Sequence, residues 1–217
     1  MAQRRNTSLP AVLAGAPLRT IRAEEASAAY AFPGPELARL ADRGLLKRVA
    51  HGYYMVVPQD MIGREWAPSF EAAAAGIASA IYGPTHAVLM GISAARVLGA
   101  VPRALATAVV AVPDQHRPIR LKDRRSVVRF VKRDTDRLDA ERIETPLGSA
   151  LVTTPEQTLL DLAHRPQLGD ARDEVPAAIA MLYQRSDHQR LKALAADQRL
   201  MASLRRAKSW ATTQHER

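Results

Sequence analysis

Residues 33–58 read PGPELARLADRGLLKRVAHGYYMVVP, and their punctuation leaves few folds open. Pro33-Gly34-Pro35 is a turn by its backbone preferences. Glu36 follows where a negative charge suits the start of a helix. Leu37, Leu40 and Ala41 then recur at i, i+3 and i+4, the buried stripe of one short helix. Arg39 and Arg43 are also four apart and share a different face, and Gly44 is a natural stop. Leu45–Val49 and Tyr53–Val57 are rich in β-formers and read as a hairpin around Ala50-His51-Gly52, with Gly52 free to adopt a positive φ. Pro58 cannot continue the ladder. Lys47, Arg48 and His51 lie at or near the hairpin tip. A cationic helix followed by a cationic hairpin is the order of a winged helix-turn-helix. In that fold the helix enters the major groove and the hairpin reaches flanking phosphates.

Upstream, Ser8 caps a short expected helix with Pro10 in its first turn and Leu9, Val12 and Leu13 on one face. Leu18–Ile21 reads as extended and Arg22–Tyr30 as a second, Ala-rich helix. Arg4 and Arg5 form a candidate N-terminal arm, and Arg19 and Arg22 flank the second helix. The DNA-contacting set expected from the pattern is therefore Arg39, Arg43, Lys47, Arg48 and His51, with Arg4, Arg5, Arg19 and Arg22 beside it. Helix-turn-helix-hairpin units also serve as protein-interaction modules, so the pattern needs a test by salt dependence.

Beyond Pro58 the chain changes character. Met61–Pro68 reads as a linker, Ser69–Tyr82 as an Ala-rich helix ended by Gly83-Pro84, and His86–Met90 as a short strand. Ser93 reads as the cap of a helix Ala94–Leu98. Thr107–Val112 and Ser126–Lys132 are clear strands, with Pro113–Arg125 a basic loop between them, and Ala150–Thr153 is a further strand. Thr154-Pro155-Glu156-Gln157 has the grammar of a helix start: a capping Thr, Pro at the first position, and Gln completing a capping box. Helices over Val175–Tyr183 and Asp187–Ser209 finish the chain. The expected class is α+β: a winged helix-turn-helix over residues 1–60, then a mixed α/β domain over 61–217. Within that second domain the core spans about 69–165 and a helical tail about 170–210.

The chain has 217 residues, enough for two modest domains with real cores, and a formal charge of +9. Such a surplus favours polyanions. It is concentrated: residues 103–137 hold ten Lys and Arg against four Asp, and 185–217 hold eight against three acids. Arg117, Arg120, Lys122, Arg124 and Arg125 are candidates for an acidic partner or further DNA, with a solvated basic face as the alternative. Cysteine is absent, which removes disulfides, thiolate zinc sites and a cysteine nucleophile. The six histidines have no ligand spacing, and no GxxxxGK[ST] or GxGxxG loop occurs, so neither metal, nucleotide cofactor nor catalytic residue is expected. Glu71 and Asp161 stand alone on amphipathic helices and read as surface or capping groups, with Asp161 in a structural role, holding the following loop or pairing with an Arg. Apolar runs are too short to span a bilayer and no secretory signal is evident, so a cytoplasmic protein without membrane contact is expected.

The stretch LARLADRGLLKRVAHGYYMV resembles the helix and wing of AbiEi-family antitoxins. SAARVLGAVP, TAVVAVP and ETPLGSALVTTPEQTLLDLA are similar to the family's C-terminal domain, so the likeness runs from about Ser8 to His164. It implies a bacterial antitoxin that binds inverted repeats of double-stranded DNA in its own promoter and represses it. It further implies neutralisation of a nucleotidyltransferase-type toxin, in some systems without a stable complex. The DNA role carries over onto Arg39, Arg43, Lys47, Arg48 and His51. His51 departs from the Arg or Lys usual at the wing tip, which makes that contact sensitive to pH. Two alternatives stay open: an atypical enzyme that modifies the toxin, for instance by phosphorylation, and a ligand-sensing winged-helix regulator. The first calls for a nucleotide site with convergent acids, the second for a large apolar pocket within residues 70–165.

Overall fold

The structure is a computed structural model that describes residues 9–215. Its N-terminal part opens with α1 (Ala11–Ala14), entered directly from Pro10. The proposed Ser8 cap and the Arg4–Arg5 arm fall outside the described residues. The chain then turns through Leu18 and Arg19, both at positive φ, into strand β1 (Thr20–Arg22). The expected helix Arg22–Tyr30 shrinks to a single 3-10 turn, Glu25–Ala28. Strand pairing prevails over Ala-rich helix propensity because Ile21 and Arg22 are in antiparallel register with Tyr54 and Tyr53.

Helix α2 (Pro33–Asp42) starts at Pro33 rather than after the turn, since prolines in a first helical turn forgo no intrahelical bond. Gly44 sits at φ 72 and ends it, and β2 (Leu46–Ala50) and β3 (Tyr53–Val56) form the hairpin. Gly52 is at φ 79, and the register slips between Arg48 and Ala50, a bulge next to the tip. The strand order β1-β3-β2 leaves β2 at an edge.

A second sheet has six strands in the order β6-β7-β5-β4-β9-β8. These are β4 (Val88–Leu89), β5 (Thr107–Val112), β6 (Ile119–Arg120), β7 (Val127–Lys132), β8 (Ala140–Thr145) and β9 (Gly148–Thr153). The β5/β7 and β4/β9 pairs are parallel and the other three antiparallel, so the sheet is mixed. The helices are α3 (Phe70–Tyr82), α4 (Gly91–Val97), α5 (Pro155–His164), α6 (Val175–Arg185), α7 (His188–Asp197) and α8 (Met201–His215). Discrete helices beside a mixed sheet make the chain α+β, as the sequence implies.

Helix α5 is buried on nearly every side, from Glu156 to Ala163, because α4, α6, α7 and α8 all pack on it. The expected single helix Asp187–Ser209 is broken in two. Asp187 caps α7 through Gln189 and Arg190, but Arg199 adopts φ 58 and the chain restarts as α8. Ser93 does not cap either. The helix begins two residues earlier, at Gly91 with φ 54, and Ser93 Oγ instead accepts from Val109 N at 2.8 Å inside the core.

A small core joins Leu13, Ile21, Leu37, Leu40, Leu46, Tyr54 and Val56. The larger core runs through the rest of the chain yet also includes Leu18, Val49, Ala50 and Met55. The three-stranded sheet therefore has helix α2 on one face and α3 on the other. Gly76 of α3 lies where a Cβ would collide with the Thr20 hydroxyl and stand 3.0 Å from Met55 Cε. No helix among the described residues is long and apolar enough to cross a membrane.

Candidate nucleic-acid interface

Helix α2 buries Leu37 and Leu40 completely, which turns Arg39 and Arg43 outward. Arg39 is held against Glu36 one turn back, with its Nη2 2.7 Å from the carboxylate, at a side-chain exposure of 55%. An exposed pair of that kind costs little to open when a phosphate or a guanine edge competes. Arg43 is exposed at the end of the helix and has no carboxylate partner among the described residues.

On the hairpin, Arg48 stands opposite Tyr54 in the ladder, its guanidinium 5.8 Å from the ring centroid. Its Nη2 is also 3.4 Å from His51 Nδ1, so the tip presents both groups together. Lys47, half-buried and opposite Met55 in the ladder, faces the other side of the hairpin from Arg48. Arg22 is tied to Glu24 by an ion pair, and its backbone N–H donates to Glu25, so it is less available than a free arginine. Arg19 is half-buried in a left-handed turn.

Sequence spacing does not show what lies against the tip. Lys122 N donates to Val49 O at 2.8 Å, and Ala50 bridges Leu121 in antiparallel fashion. The basic loop between β5 and β7 is thereby fastened along the outer edge of β2. The loop set, expected to serve an acidic partner or further DNA, is thus a neighbour of the hairpin set, with Arg117, Arg120, Lys122 and Arg125 exposed on the loop. Arg124 is spent internally, donating to Pro68 O at 2.8 Å and to Asp123 at 2.7 Å.

The acids are placed differently from expectation. Glu71 and Asp161 are buried, not surface groups, because each has an arginine brought from elsewhere in the fold. Arg96 Nε is 3.0 Å from Glu71, and Arg133 donates to Asp161 at 3.2 Å. Burial pushes the Asp161 carboxyl up to about 6, against the lowering influence of Arg133 and Gln157. The two acids pair with different arginines and do not converge.

The segment TPEQTLLDLA is a structural hub. Thr154 caps α5 through Gln157 N and donates to Asp139, which also binds Arg190 of α7. Glu156 accepts from Asp187 N at 2.7 Å, fixing the start of α7. The Gln157 side chain does not close the capping box. It reaches Asp139 N, Gln198 and Asp161 instead. The long-range roles leave no local signal, since Asp139, Asp187 and Gln198 are all fifteen or more residues from the groups they meet.

None of the curated proteins matches the chain. The fold is similar to the crystal structure of the RV2827C protein from Mycobacterium tuberculosis, with a TM-score of 0.53 and 18% identity over 89% of this chain and 75% of that one. The family model of the AbiEi antitoxin C-terminal domain matches residues 86–210. That match takes in the six-stranded sheet and the helices around α5, and the chain belongs to the AbiEi antitoxin family.

Proposed function

We propose that this chain is a DNA-binding autorepressor as well as an antitoxin. Its helix α2 and the β2–β3 hairpin act as a winged helix-turn-helix within residues 1–60. This unit grips inverted repeats of double-stranded DNA in the chain's own promoter, and residues 61–217 act against a nucleotidyltransferase-type toxin in the cytoplasm. The observation that carries the DNA reading is the outward pair Arg39 and Arg43 beside a cationic hairpin whose edge is extended by the Leu121–Lys122 segment. Helix cations read groove edges, and hairpin and loop cations neutralise phosphates on either side.

The test is a gel-shift titration on the chain's own promoter across a salt series. Replacing Arg39 and Arg43 together by Ala should weaken specific binding by about tenfold or more for each lost contact, with the melting temperature unchanged. Replacing Lys47 and Arg48 should weaken all sequences alike and flatten the salt slope by about one for each phosphate contact removed. Unchanged affinity in the first variant sinks the recognition-helix assignment. A flat salt response in the wild type points to a protein-interaction module instead.

A further inference from the structure

A cleft of about 590 Å³ opens where the end of β7, the link after α5 and the α7–α8 break meet. Its wall carries Arg133, Arg137, Arg165 and Arg199 together with His164 and two aspartates, Asp134 and Asp197. None of these residues belongs to the helix–hairpin surface. The volume suits a ligand of nucleotide size.

The charge in this cleft is poorly balanced. Arg133 is anchored from behind by the buried Asp161, and Arg137 pairs with Asp197 on the rim, both partners of which are more than half exposed. Arg165 and Arg199 have no carboxylate partner among the described residues. A fifth arginine, Arg206, reaches the same end of α5, donating to Ala163 O at 2.7 Å. Burial, then Arg165, Arg133 and Arg206 in turn, hold the His164 imidazole below its ordinary range.

Backbone strain points to the same place. Arg199 is held at φ 58, a left-handed conformation that a long side chain adopts at a cost. A glycine would serve the α7–α8 break better, and the residue present brings a guanidinium to the cleft wall. Arginine presents a planar fork of donors that matches phosphate oxygens two at a time. Asp161 is a positioning residue in this arrangement: with Gln157 it fixes Arg133 from inside the core.

We propose that this cleft binds a small phosphate-bearing ligand with several negative charges, such as a pyrophosphate or nucleoside polyphosphate, through Arg133, Arg137, Arg165 and Arg199. The site is separate from the DNA surface and stands whether or not the repressor reading holds.

Full-length protein is titrated calorimetrically with sodium pyrophosphate, ATP and adenosine, and its melting temperature is followed with each. A double variant, Arg165→Gln with Arg199→Gly, is run beside it; the glycine relieves the left-handed backbone, so the unliganded variant should melt no lower than wild type. Expected is binding of pyrophosphate or ATP but not adenosine, weakened by about tenfold or more for each guanidinium removed. Promoter affinity in the gel-shift should be unchanged in that variant. Three outcomes each overturn the proposal: no heat with pyrophosphate or ATP, equal binding by the double variant, or adenosine binding as tight as ATP. Loss of promoter affinity in the variant also overturns it, since the cleft would then hold a DNA phosphate. If the variant melts lower than wild type, Arg199→Gly alone replaces it, with the same expected loss of anion binding and the same refuting result.

Discussion

Replacing Gly76 by Ala tests how the N-terminal sheet is joined to the body of the molecule. Inside an ordinary helix the change should stabilise, by about 1 kcal/mol of helix propensity. Here the added methyl meets the Thr20 hydroxyl, stands 3.0 Å from Met55 Cε and 3.2 Å from Thr20 Cβ. Met55 is fully buried, and the Thr20 hydroxyl is already donating to Leu18 O at 3.0 Å, so neither yields freely. Turning Thr20 away forfeits a hydrogen bond worth about 1 kcal/mol, which cancels the propensity gain. What remains is the cost of overpacking, about 1–3 kcal/mol. For a chain of this size that is a fall of roughly 2–12 °C in melting temperature. Differential scanning calorimetry of Gly76→Ala, Thr20→Ala and the double variant makes the cycle. If the methyl meets Thr20, Thr20→Ala costs less when Gly76→Ala is already present than in the wild type. A higher melting temperature for Gly76→Ala, or strictly additive effects, refutes that contact.

Asp161 gives a pH signature. Its carboxyl is raised from 3.8 to about 6, so the folded state holds the proton more tightly than the unfolded chain, and the stabilisation present below pH 4 is lost as pH rises to 6. About two pKa units correspond to about 3 kcal/mol across that window. Asp161→Asn should flatten this segment of a urea-denaturation series, and an unaltered slope would locate the titration elsewhere. A chain trimmed to residues 61–217 loses Leu18, Val49, Ala50 and Met55 from the larger core, so it should melt lower than the full chain and bind a hydrophobic dye. Equal melting temperatures would mean that the two parts are thermodynamically independent.

What is legible in the sequence is local. Ser69 and Gly83 bracket α3, Thr154 caps α5, and Thr107–Val112 is a strand to the residue, because caps, stops and β-branched runs act over a few positions. Strand β8 escapes such a reading since it lies at the sheet edge and mixes exposed charges with half-buried residues without a regular period, leaving no apolar run. The α7–α8 break escapes it for a different reason: Arg199 occupies a left-handed position where a glycine would have announced it. Ser93 and Glu71 differ from expectation because their partners Val109 and Arg96 come from other elements, whereas Asp161 does pair with an arginine, Arg133, though buried rather than on the surface. For the candidate interface, the arginines of α2 and the hairpin are legible by spacing. The fastening of Lys122 to Val49 O spans more than seventy residues and has no local signal.

That fastening, with Met55 in the larger core and close to Gly76 behind it, braces the hairpin on two sides. In the proposed repressor the reading head is therefore part of the same solid as the antitoxin body, not a tethered arm. Two such bodies on an inverted repeat have only the twist of the duplex to set their facing. Inserting about half a helical turn, roughly 5 bp, between the half-sites would carry the second copy to the opposite side of the DNA, with no joint in the protein to bring it back.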